Sequence, residues 1–300
     1  MKCHPRSRRL LRRGFALPLV VMLAMAGTLL VAVMLDRQSG QTLTLGRQVE
    51  GVRAFHFQRG LREIIQAWVR NQTRYARQMP LRAAIDPDGR IGEISLADGT
   101  HIVLYVFEGQ GTVRRGAVGL DRQEREDAQA VLDIFGPMSP QEERTQTREH
   151  GPVAVSIFSA PVETLAAIVD HVTGGEHSGD VLEAILTLRD DPNVTTNGLA
   201  KPEITQHLED GKAEELQRLL TMTPRLWEVV LEADLGPDFS AVPTRARYWG
   251  LFLLPDARRT NTYERVQVLT WNSIDLGPQG DGQTVEQWRR TRDQDDARRR

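Results

Sequence analysis

Residues 2–13, KCHPRSRRLLRR, carry six Lys or Arg and no acid, and the 21 residues from Phe15 to Leu35 carry no charge at all. As a helix this stretch is about 31 Å long, which matches a hydrocarbon core of about 30 Å. The basic residues ahead of it hold the N-terminus on the cytoplasmic side. Everything after Asp36 is therefore expected outside the inner membrane.

A cleaved secretory signal fits poorly, because its apolar region usually has about 7–15 residues and ends in small ones. Here the span is longer and closes with Val33-Met34-Leu35-Asp36. Arg12-Arg13-Gly14-Phe15-Ala16-Leu17 instead resembles the junction of a prepilin leader, cut between Gly14 and Phe15 at the cytoplasmic face. Gly14 offers a membrane peptidase an extended, unhindered backbone. Pro18 then falls in the first turn of the mature helix, where its missing N–H breaks no hydrogen bond. A plain signal anchor with a chance glycine is the alternative. A chain beginning at Phe15 has lost Cys3, the one cysteine, so it needs no oxidising compartment and is safe in one.

The helical pattern continues beyond Leu35. Leu45, Val49, Val52 and Phe55, then Phe57, Leu61, Ile64, Ile65 and Trp68, recur at three- and four-residue steps with polar residues opposite, as in an amphipathic helix. This predicts one helix from Phe15 to about Val69, with Gly51 and Gly60 as expected bends. From Ile91 the period becomes strand-like, and IGEISLADGTHIVLYVFEG predicts a tight hairpin around Asp98-Gly99. Residues 109–119, GQGTVRRGAVG, read as a Gly-rich loop.

Helices are predicted over 121–134, 161–172, 179–188, 202–208 and 213–220, with Ser159 capping the second. Strands return in LWEVVLEADL, ARYWGLFLLPD and YERVQVLTWNSI. The expected fold class is α+β: a long N-terminal transmembrane and stalk helix, then an antiparallel pilin-like sheet with an inserted α-helical domain. The expected divisions are leader 1–14, transmembrane and stalk helix 15–70, first part of the β domain 71–119, inserted domain 120–220 and closing strands 221–276. The polar segment 277–300 is expected to be a disordered tail.

This order resembles the type II secretion minor pseudopilins of the K type. Most pilin-like subunits carry Glu at the fifth mature position; here that position is Leu19, as in the K type. GPVAVSIFSAPVETLAAIV and LLTMTPRLWEVVLEADLG resemble two further regions of that family, with Phe158-Ser159 replacing its Asn-Thr pair. The match is weak over 120–150. The resemblance implies cleavage and methylation at Phe15, a single-pass inner-membrane protein with a periplasmic domain, and prepilin peptidase and other minor pseudopilins as partners. It also implies a structural role at the filament tip without turnover. A type IV minor pilin and an anchored periplasmic adaptor or enzyme are the alternatives.

No G-x-S-x-G, H-E-x-x-H, C-x-x-C or phosphate-cradling glycine motif occurs, and no catalytic residue or cofactor is expected. His171, Glu176, His177 and Asp180 cluster around GGEHSGD, which reads either as metal or acid–base groups or, more simply, as a polar interhelical turn. Asp190, Asp191 and Asn193 offer oxygen ligands for calcium, as some K-type proteins bind, but outside the EF-hand pattern. Near-neutral net charge and the acids around Gly174-Gly175 argue against nucleic acid.

Overall fold

The computed structural model describes residues 16–75, 88–116, 118–139, 142–143, 146–191, 197–236, 244–254, 266–277 and 279–299. Gly14 and Phe15 lie outside these described residues. The chain divides into two units, Met1–Gly60 and Leu61–Arg300. Helix α1, Ala16–Tyr75, passes through both without a break at Gly51 or Gly60, so neither glycine ends it.

In the first unit the apolar residues of α1 face outward: Met22, Leu23, Leu29 and Leu35 are all well exposed. Thr28 returns its hydroxyl to the carbonyls of Ala24 and Met25, which satisfies the one polar side chain between Val20 and Leu35. Among the described residues this is one helix long and apolar enough to cross a membrane, by length and composition.

The second unit is built on a five-stranded antiparallel sheet, β1 Arg90–Ser95, β2 His101–Glu108, β7 Leu226–Leu235, β8 Thr244–Leu253 and β9 Gln267–Gly277, in that spatial order. Five residues, Leu96 to Thr100, connect β1 and β2 rather than a two-residue turn, and the Leu96 N–H donates to the Thr100 carbonyl. Gly99 N–H bonds back to the Leu96 carbonyl, and Gly99 takes φ 81°, a left-handed position that glycine occupies without steric cost. β2 and β7 are neighbours in the sheet although more than a hundred residues separate them in sequence, so the whole helical block sits in one connection between adjacent strands.

That insertion comprises α2 Arg122–Phe135, α3 Val162–Thr173, α4 Ser178–Asp190, the short α5 Pro202–Thr205 and α6 Lys212–Leu219. Asp121 caps α2 in a full capping box with Glu124. The helices close on their own core, with Val131, Ile157, Leu165, Ile168, Val172, Ile185 and Leu216 completely buried. Ser159 does not cap α3: Pro161 holds the N-cap position without a side-chain bond, and the Ser159 hydroxyl bonds Glu108 instead. Two short parallel pairs fasten the base of the block, β3 Val113–Arg114 with β4 Thr147–Arg148 and β5 Val155–Ser156 with β6 Leu220–Thr221. The Gly-rich segment 109–119 is therefore partly strand.

The expectation of a disordered tail over 277–300 is overturned. β9 ends at Gly277, and Val285–Arg299 forms helix α7 with Val285 and Trp288 buried. Low apolar content does not prevent docking here, because ion pairs occupy the other half of the buried helix face.

Candidate functional site

Three features of the structure bear on function: the surface of α1, the neck of the insertion and the face of the sheet covered by α7. Leu45, Val49, Val52 and Phe55 are 50–61% exposed, whereas Leu61, Ile65 and Val69 are at most 5% exposed. The stripe predicted from Leu45 to Trp68 is thus open as far as Phe55 and divided beyond it: Leu61 and Ile65 pack in the core of the second unit, Ile64 stays 53% exposed, and Gln66 reaches the Val266 carbonyl. Periodicity gives one signal for both. Leu19 lies in α1.

The neck is organised by Gln110, which is 1% exposed. Its amide nitrogen donates to the Ala154 carbonyl at 2.7 Å, and its amide oxygen accepts from the N–H groups of Arg225 and Leu226 at 2.7 and 3.2 Å. One side chain therefore ties the strand leaving the sheet to the strand returning to it. At Gly111 a Cβ would lie 2.4 Å from the Ser159 carbonyl oxygen, so this glycine is required by close backbone approach.

On one face of the sheet, Tyr105, Val230 and Trp249 stand in register and receive Val285 and Trp288 of α7. The Trp249 and Trp288 rings meet edge to face at 5.0 Å, a favourable aromatic geometry. In the next register row, Glu228 accepts from Arg289 at 2.7 Å and also from Arg292, with Arg289 stacked over Phe107 at 3.8 Å. In the row on the other side, Arg247, 1% exposed, bonds both Glu232 and Asp281. Burial pushes the Glu228 carboxyl up, and the two guanidiniums more than offset it, leaving it below the ordinary carboxylate value. This is a structural clamp that fastens α7 to the sheet.

Of the predicted polar cluster, His171 faces Glu215 at 3.8 Å, while His177 and Asp180 come together at the start of α4. The structure adds His207, whose ring centroid is 5.6 Å from that of His177. No sequence spacing announced that contact, since the two histidines are 30 residues apart. Of the calcium candidates, Asp190 ends α4 and Asp191 follows it, and Asn193 lies outside the described residues.

No family model and no curated protein matches the sequence. Among solved structures the chain is similar to a chain of the GspK–GspI–GspJ complex of the enterotoxigenic Escherichia coli type 2 secretion system. The two are 9% identical, the match covers 72% of this chain and 98% of that one, and the TM-score is 0.34.

Proposed function

We propose that this chain is a minor pseudopilin of a type II secretion system, of the K type. It is held by α1 in the inner membrane with its folded unit in the periplasm, and it starts or caps the short filament that drives proteins through the outer membrane. It acts as an assembly subunit without turnover and without a catalytic site. The observation that carries the reading is the single uninterrupted helix Ala16–Tyr75. It follows directly on the Gly14-Phe15 junction, exposes an apolar span, and gives Leu61, Ile65 and Val69 to the core of the folded unit.

The placement of the helical block between the adjacent strands β2 and β7 supports the K type over other pilin-like subunits. Ala24, Thr28 and Ala32 recur at four-residue steps along the exposed span, and small residues so spaced let a second helix approach closely within a bilayer. Leu45, Val49, Val52 and Phe55 offer the contacts that follow outside it. With Leu19 at the fifth mature position, the subunit has no carboxylate for the terminal amine of a subunit above it, and it avoids holding that charge in the membrane.

Gly14→Leu is expected to leave the unprocessed precursor in the membrane and to abolish export by the system. Immunoblotting of cell membranes for precursor and mature forms checks this, and processing at the wild-type rate would remove the junction from the account.

A further inference from the structure

Beyond its role in assembly, the helical insertion carries a second site: we propose that His177, Asp180 and His207 bind a divalent transition-metal ion of the zinc class. His177 immediately precedes α4, Asp180 lies in its first turn, and His207 lies in the turn after α5. One potential ligand atom from each lies within 4.8 Å of the other two. His177 Nδ1 and Asp180 Oδ2 are 3.4 Å apart. Ligands about 2.0–2.2 Å from a tetrahedral zinc stand roughly 3.3 Å from one another, so this pair already has the required separation, and the His207 ligand atom lies within 4.8 Å of both.

The backbone supplies an independent observation. His177, with φ 53°, is the one residue other than glycine in the left-handed region among the described residues. Gly174 and Gly175, just before it, take the same sign of φ, so the turn reserves glycine for two of its three left-handed positions and imidazole for the third. Strained positions of this kind concentrate at sites that need a particular side chain.

The donor set indicates the class of metal. Two imidazoles and one carboxylate suit zinc and its neighbours, whereas calcium takes oxygen ligands. The groove beside the cluster is lined by Glu183, Asp191 and Glu203, with Lys201 as the opposing charge, and this balance favours a cation. His177 and Asp180 are exposed and His207 is half-buried, so a bound ion keeps at least one position for water. Its effect is to tie the start of α4 to the turn after α5.

The test uses the untagged full-length chain in detergent, stripped with a chelator and titrated with cobalt(II) as the spectroscopic probe. The expected result is a visible ligand-field band that saturates at one equivalent, is displaced by zinc, and is lost in His177→Gly and in His207→Ala. His177→Gly is the decisive variant, because glycine keeps the left-handed backbone; its metal-free melting temperature should equal or exceed that of the wild type while the zinc-induced rise disappears. No saturable band in the wild type overturns the proposal. A band that persists in both variants also overturns it, by placing the metal on other histidines.

Discussion

Trp288→Ala is expected to destabilise the folded unit by about 3–5 kcal/mol, the range for removing a buried aromatic side chain. Trp288 is 7% exposed, meets Trp249 edge to face, and lies beneath the guanidiniums of Arg247 and Arg292. Its loss removes the apolar anchor of α7 and exposes Tyr105, Val230 and Trp249 to water. Glu228, 5% exposed beneath Arg289 and Arg292, would be uncovered along with them, and its ion pairs would weaken as water screens them. Urea unfolding followed by tryptophan fluorescence and by far-ultraviolet circular dichroism measures the change. A midpoint unchanged from the wild type would mean that α7 contributes nothing to the fold.

Gln110→Leu is expected to cost about 3 kcal/mol or more, although it replaces one side chain by another of similar volume. The penalty comes from hydrogen bonding: the Arg225 and Leu226 N–H groups lose the Gln110 oxygen and the Ala154 carbonyl keeps only its bond from Arg148, and each buried donor left unsatisfied costs about 1–3 kcal/mol. Because these bonds join both ends of the insertion, the helical block should loosen before the sheet does. Amide hydrogen exchange resolves this: protection should fall in α3, α4 and α6 while β2 and β8 keep theirs. Uniform protection throughout, at wild-type stability, would contradict the assigned role of Gln110.

The fold was legible where pattern and packing agree. β7 matches LWEVVLEADL to the residue, because a strand buried on both faces reads as a nearly continuous apolar run. The helices of the insertion lie within a few residues of their predicted limits, since each has a clear apolar face bounded by glycine, proline or a cap. Helix α7 was missed for a physical reason. Its buried face is Val285, Trp288, Arg289 and Arg292, at helical spacing but only half apolar, and the arginines are held by Glu228 on a distant strand. A local signal did exist: Thr284 and Gln287 form a reciprocal capping box, the T-x-x-Q signature of a helix start.

The neck was missed for a related reason. GQG in a linear reading suggests looseness, yet Gly111 is there because the Ser159 backbone leaves no room for a Cβ, and Gln110 because its side chain joins backbone groups at both ends of the insertion. Neither reason is visible until residues more than forty positions away are brought together. His207 likewise joins His177 and Asp180 only through the turn after α5. The stripe on α1 was legible as a helix but not as two surfaces, since the same period describes an exposed apolar face and a buried one.

The central claim is that this chain is a processed, membrane-held assembly subunit, and the N-terminus of the wild-type protein tests it most directly. Mass spectrometry of the protein from cells with active prepilin peptidase should find a chain beginning at Phe15, methylated on its amine, and from cells without the peptidase a chain that retains residues 1–14. A chain that keeps residues 1–14 in both strains, or that is cut after the apolar span near Asp36, would contradict the account.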